Sequence, residues 1–175
     1  FMFAGSGAGG YYSIIMGPTQ RTPQDGDVLI IDTGTVFDGY FCDFDRNFGF
    51  GHVADDTRRA NTAVHQAVDA GFAAARPGVR MREVWAAMWQ GLEDYGALGN
   101  SIGRMGHGLG MLLTEWPSVH PEDENTLEAG VVMTLEPGMT FAPGRQLVHE
   151  ENIVITQDGA EYLTRRAPPD IPLIQ

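Results

Sequence analysis

Gly26-Asp27-Val28-Leu29-Ile30-Ile31-Asp32-Thr33-Gly34-Thr35-Val36-Phe37-Asp38-Gly39-Tyr40-Phe41-Cys42-Asp43-Phe44-Asp45-Arg46 is the stretch that decides how this chain folds. Gly26-Asp27 is a turn signal, and the run Val28 to Ile31 has the branched composition of a buried strand. Asp38-Gly39 is a dipeptide favoured in two-residue hairpins, and Tyr40 to Phe50 alternates as a returning strand does. Asp32 and Asp43 are therefore expected on neighbouring antiparallel strands, with both carboxylates within reach of one site. A carboxylate buried at a strand end is costly unless it is neutralised, paired or bound to a cation.

Outward from this hairpin, residues 1–25 suggest one short strand followed by a Gly/Ser/Pro/Thr-rich loop. Downstream, Ala60, Val64, Ala67, Val68, Gly71, Phe72 and Ala75 recur at helical spacing, with Asp55 and Asp56 at the start and Pro77-Gly78 at the end. Met81, Val84, Trp85, Met88 and Leu92 form the stripe of a second helix that Gly96 terminates. From residue 99 short strands and loops return: glycine-rich Met105 to Leu113, an irregular acidic loop from Trp116 to Asp123, and strands over Val131 to Leu135 and Val148 to Thr156. Asp158-Gly159 reads as a turn, and Arg165 to Gln175, with three prolines, reads as an extended arm on the surface.

The 175 residues are enough for one domain with a sizeable core, and 43% apolar with 19% charged residues is ordinary globular composition. With 23 acids against 11 bases the net charge is −12, which disfavours nucleic acid and anionic membranes as partners. Two divalent cations would offset only part of that excess. The single cysteine, Cys42, excludes an internal disulfide framework and fits a reducing, cytoplasmic location. No apolar run reaches the roughly 18 residues of a membrane span, and no signal-like start is present.

Five residues stand in short distinctive contexts: Asp32, Asp43, His107 in Gly106-His107-Gly108-Leu109-Gly110, Glu136 in Leu135-Glu136-Pro137-Gly138, and Glu150 in His149-Glu150-Glu151-Asn152. Singly, each has a dull explanation as a turn cap, an ion pair or a packed core histidine. Together, four carboxylates and one imidazole without a thiolate suit hard or borderline divalent metals such as Mn, Fe, Co or Zn.

In order and spacing these segments resemble the M24 metallopeptidase family, which includes methionine aminopeptidase, aminopeptidase P, prolidase and creatinase. The resemblance runs from about Gly26 to Thr164. It implies the α/β pita-bread fold, two pseudo-symmetric halves of antiparallel strands flanked by helices, here residues 1–96 and 97–175. It implies that residues 1–175 form the catalytic domain without its first helices or any N-terminal domain, and a homodimer. It further implies two cations, with Asp32 on one, His107 and Glu136 on the other, and Asp43 and Glu150 bridging both. Glu136 would pass a proton, while Gly108 and Gly110 would let backbone approach the ligand closely.

Three departures concern substrate. Thr114-Glu115 stands where that family has His-Glu, no histidine lies upstream of Gly26, and Val148 replaces an arginine of prolidases. Thr114, Glu115, Trp116, His120 and Tyr40 are candidates for a substrate pocket. Asp45 occupies a position where the family usually has threonine, and beside Arg46 it is expected to form a structural ion pair. His149 and Cys42, each next to a ligand, should point away by strand alternation. The function implied is a dinuclear metal hydrolase cleaving a C–N bond of an Xaa-Pro-type or other small peptide. The alternatives are a same-fold enzyme on a small zwitterion (a creatinase-like hydrolase, or a lyase cleaving a C–S bond of dimethylsulfoniopropionate) and a non-catalytic binding module.

Overall fold

The computed structural model describes residues 1–17, 19–100 and 102–174. Its first half holds β1 (Met2–Ala8), β2 (Asp27–Thr33), the short β3 (Val36–Phe37) and β4 (Tyr40–Phe41), β5 (Phe44–Phe50), α1 (Asp55–Ala74) and α2 (Met81–Asp94). The second holds β6 (His107–Gly108), β7 (Glu115–Ser118), β8 (Val132–Leu135), β9 (Gly138–Ala142), β10 (Arg145–Val148), β11 (Glu151–Ile155), β12 (Ala160–Tyr162) and β13 (Leu173–Ile174). One sheet has the order β1-β2-β5-β13 and a second the order β12-β11-β8-β6-β7. The pairs β9–β10 and β3–β4 complete the strands.

The hairpin and both helices lie where periodicity and turn chemistry place them. Asp38 and Gly39 both adopt positive φ, 50° and 86°, as the favoured two-residue hairpin demands. Along α1 the residues Ala60, Val64, Ala67 and Val68 are buried, and along α2 Met81, Val84, Met88 and Leu92 are buried. These stripes join Val28, Ile30, Leu135, Leu147 and Ile153 in one core between the helices and the sheets.

Four details differ from expectation. The returning strand is broken at Cys42-Asp43, and the later one at His149-Glu150. Each break falls at a proposed ligand, where the backbone leaves the ladder to aim a carboxylate. Asp45, not Asp43, stands directly across from Asp32. Trp116 to Ser118 belongs to strand β7 instead of a loop, because Glu115 and Ser118 pair with Gly108 and His107. The arm is extended as expected, but its β13 crosses into the first-half sheet, pairing parallel with Gly49 and Phe50; Gln175 lies outside the described residues.

A buried polar triangle ties the halves. The Tyr11 hydroxyl donates to Asn47 Oδ1 at 3.0 Å and accepts from the Val148 N–H at 2.7 Å. Asn47 Nδ2 donates to the Val148 carbonyl at 2.7 Å. Tyr11 is fully buried, which identifies it as a packing residue and not a pocket wall. The triangle sets β5 against β10, two residues from Asp45 on one side and two from Glu150 on the other. Tyr11→Phe leaves a buried amide and a buried carbonyl unsatisfied, a cost of about 1–3 kcal/mol. The expected drop in midpoint is about 2–10 °C by thermal unfolding followed by circular dichroism.

Candidate metal centre

Asp32 is carried near the end of β2, and His107 opens β6. Asp43, Glu136 and Glu150 occupy the breaks before β5, between β8 and β9, and before β11. His107, Asp43, Glu136 and Glu150 are all buried, and Asp32 is half-buried. The structure thus brings all five sequence-selected residues toward one region, and Asp45 joins them.

His107 is set by its neighbours. Its Nδ1 lies 2.9 Å from the Gly108 carbonyl oxygen, an atom that only accepts, so Nδ1 carries the proton. The Nε2 lone pair therefore faces Asp43 Oδ2 at 3.7 Å and Glu150 Oε1 at 3.9 Å. Burial holds the imidazole below its usual pKa, so it is neutral. With both carboxyls ionised, three electron-rich atoms would converge there and repel one another. Both distances from Nε2 fall within about 4.2 Å, twice a typical metal–nitrogen or metal–oxygen bond, and all three residues offer donor atoms within 4.8 Å of one another, so one cation could touch all three. A Cβ at Gly108 would sit 2.6 Å from the Trp116 carbonyl oxygen, so glycine is needed for β6 to pack against β7.

Two three-donor groups emerge: Asp43, His107 and Glu150, and Asp32, Asp45 and Glu150. In each, the donor atoms lie within 4.8 Å of one another, and Glu150 is common to both. Asp43 Oδ1, both Asp45 oxygens, Glu136 Oε2 and Glu150 Oε1 are buried without a hydrogen-bond partner. Such a set fits divalent cations and fits little else. Burial raises the pKa of Asp32 to about 6, of Asp43 to about 7 and of Glu136 to about 8. Asp45 and Glu150 are pushed well up by burial and then by the Glu136 charge. The nearby Arg104 opposes this at Asp43 and Glu136.

The Asp45–Arg46 ion pair is not formed. The Arg46 guanidinium donates to the carbonyls of Asp45, Glu150 and Arg165, and to the Glu151 carboxylate at 3.0 Å. Adjacent strand residues face opposite sides, so Asp45 turns inward while Arg46 turns to the far face. Asn152, unremarked in the sequence beyond its place in His149-Glu150-Glu151-Asn152, is a positioning residue. Its Oδ1 accepts the Asp43 N–H at 3.0 Å and its Nδ2 donates to the Asp43 carbonyl. His149 turns away as expected, packing tilted against His65 with ring centroids 5.2 Å apart and placing Nε2 3.2 Å from Glu151. Cys42 belongs to neither donor group.

Of the candidate pocket residues, Tyr40, Glu115 and Trp116 line one open cleft with Phe41, Leu109 and Leu163. Tyr40 and Trp116 are 62% and 71% exposed, leaving aromatic surface free for a ligand. Two of its lining residues, Phe41 and Leu109, lie two positions in sequence from Asp43 and His107. Thr114 is exposed outside its walls. His120 also lies outside, with Nδ1 accepting the Glu122 N–H in a turn.

The sequence model of metallopeptidase family M24 matches residues 3–158. The chain is 31% identical over 142 residues to an Xaa-Pro dipeptidase of Pyrococcus furiosus, covering 81% of this chain and 41% of that one. It is 34% identical over 146 residues to a probable dipeptidase PepE of Mycobacterium bovis, covering 82% and 39%. The chain thus spans less than half the length of these curated relatives. Among solved structures, dipeptidase PepE from Mycobacterium ulcerans superposes with a TM-score of 0.90 at 32% identity, covering 99% of this chain and 46% of that one. Methionine aminopeptidase from Rickettsia prowazekii, at 21% identity, shares the architecture with a TM-score of 0.81 over 94% of this chain and 73% of its own. The architecture is the pita-bread fold. Among the described residues, no helix is long and apolar enough to cross a membrane.

Asp32, Asp43 and Glu136 bind more protons folded than unfolded, from the ordinary carboxylate range up to about 6, 7 and 8 respectively. Stability of the chelator-treated protein is therefore greatest at the acidic end of this window and falls as pH rises through it. Thermal unfolding in EDTA should show the midpoint dropping by about 5 °C or more between pH 5.5 and 8.5. Saturating Mn²⁺ should abolish that drop.

Proposed function

The chain belongs to metallopeptidase family M24, and from that premise we propose that it is a dinuclear metal-dependent peptidase cleaving a C–N bond next to proline in a small peptide. The observation that supports this most is the pair of three-donor groups sharing Glu150, buried and short of counter-charge. Asp32, Asp43, His107, Glu136 and Glu150 would hold the cations, with Mn, Co, Fe and Zn all compatible with such donors. When bound, divalent cations lower the pKa of water and polarise a carbonyl, supplying nucleophile and electrophile at neutral pH.

The protein's own groups do the rest. Glu136 would accept a proton on its unpartnered Oε2 and deliver it to the departing amine. Its backbone N–H donates to the Met105 carbonyl at 2.9 Å, fixing where the side chain starts. Exposed Tyr40 and Trp116 offer flat apolar walls suited to a proline ring, and Glu115 adds a negative charge suited to a free amino group. Val148 is buried in the core and supplies no grip for a substrate carboxylate, so specificity rests on the cleft. The likeness to proteins named Xaa-Pro dipeptidase supports this substrate class. The comparisons lend no support to the small-zwitterion or binding-module alternatives. Two finer expectations accompany the reading: a cytoplasmic location, resting on the lone Cys42, and a homodimer, resting on the family resemblance.

The test is hydrolysis of a panel of Xaa-Pro dipeptides and longer proline-containing peptides by Mn²⁺-loaded protein. Turnover should disappear on chelation and return with metal. Glu136→Gln, assayed at saturating Mn²⁺, should lower kcat by at least about 10²-fold while the chain stays folded by circular dichroism. Undiminished turnover by that variant would remove Glu136 from the proton path, and a panel with no hydrolysed member would overturn the peptidase reading.

A further inference from the structure

Resting on the two-cation reading above, we infer that Asp45 is an additional cation ligand, closing a second coordination group with Asp32 and Glu150. The register of β2 and β5 sets Asp32 and Asp45 as direct cross-strand partners, so both side chains leave the sheet on one face. That face continues to Asn47, whose bonds to Tyr11 and Val148 hold β5 against the segment leading to Glu150. Asp45 is completely buried, and neither carboxylate oxygen has a partner. Its donor atom lies within 4.8 Å of those of Asp32 and Glu150.

The buried carboxylates elsewhere in the molecule supply the control. Asp27 is met by Arg21 and the Gln24 N–H. Asp123 accepts from the Ser118 and Asn125 N–H groups. Glu151 accepts from Arg46, Thr164 and the Ala167 N–H. Each is satisfied on both oxygens by protein groups. Asp45 has a guanidinium on the neighbouring residue, yet that guanidinium is committed to Glu151 and three backbone carbonyls. A fold that pairs its buried acids away from the site and leaves both oxygens of this one open, aimed at Asp32 and Glu150, has left room for a cation. A protonated Asp45 acting only as a structural donor would show an acceptor within hydrogen-bonding distance, and none is formed among the described residues.

The ligand this adds is a hard anionic oxygen, where the family pattern has an alcohol. It gives one cation an all-carboxylate set (Asp32, Asp45, Glu150), while the other keeps imidazole through His107. The two positions therefore differ in softness, and the all-oxygen one is the better suited of the two to a hard ion such as Mn²⁺.

The experiment is Mn²⁺ titration of metal-free protein by calorimetry, with bound ions counted by elemental analysis after dialysis, on wild type, Asp45→Asn and Asp45→Thr. Wild type should take up two ions. Both variants should retain one at wild-type affinity and bind the second at least about 10-fold more weakly, the size of effect that even an outer-shell loss produces. In EDTA both variants should unfold at or above the wild-type midpoint, since an unpartnered buried carboxyl has been removed. Two ions bound to both variants at wild-type affinity would overturn the inference while leaving the peptidase reading intact. So would variants that melt well below wild type in EDTA, because Asp45 would then be a structural hydrogen-bonding group. Wild type that takes up no Mn²⁺ would instead defeat the two-cation reading, and the Asp45 inference with it.

Discussion

Mutual repulsion among five carboxyl groups gathered around one neutral imidazole is the constraint to which the rest of this fold answers. At separations near 5 Å, and an effective dielectric of about 20, each charged pair opposes folding by about 3 kcal/mol. A typical hydrogen bond returns about 1 kcal/mol, so the arrangement cannot be held by its immediate contacts alone. It is held from outside. The Tyr11–Asn47–Val148 triangle locks the two halves together, Asn152 clamps the backbone of Asp43, and Arg46 bridges β5 to the carbonyl of Glu150. The apolar core of α1, α2 and the sheets supplies the stability against which this local cost is set.

Much of this was legible in the chain. Turn dipeptides and helical periodicity located the hairpin and both helices because these are local preferences that tertiary contacts here reinforce. The four acids and the histidine were visible because each stands in a short distinctive context, the acids after apolar residues that must be buried. Asp45 was hidden by its neighbour: an Asp-Arg dipeptide looks like an ion pair, although consecutive strand residues face opposite ways. The same alternation argument, applied to His149 and Cys42, would have found it. The breaks at Cys42-Asp43 and His149-Glu150 escaped detection because side-chain alternation can continue where backbone pairing stops. Strand β7 escaped because its pairing with β6 is a long-range event that Trp116-Pro117 does not announce locally. Tyr11 and Asn152 act on partners more than 100 residues away in sequence, at Val148 and Asp43, and no nearby pattern reveals such a bond.

The site and its cleft are built on different principles. Buried strand ends and ladder breaks carry the cation donors, where packing fixes every backbone atom. Exposed aromatic residues on the β3–β4 hairpin and on β7 carry the cleft, and a bond from the Phe41 N–H to the Gly110 carbonyl ties the hairpin to the segment after His107. Chemistry is thereby insulated from variation in recognition. Departures such as Thr114 and Val148 can accumulate around the five donors Asp32, Asp43, His107, Glu136 and Glu150, and the present chain carries several.

Glu150 and Glu151 stand side by side, and a chain choosing how to lay β11 against β8 meets two glutamates that are chemically interchangeable. Arg46, Thr164 and the Ala167 amide accept only the second of them, burying it without leaving an oxygen unsatisfied. Those contacts act as a key for strand alignment: sliding by one residue would drive Glu150 into the guanidinium and leave Glu151 facing the acids. A cluster apart from the aromatic cleft thus determines which of two identical side chains joins both donor groups.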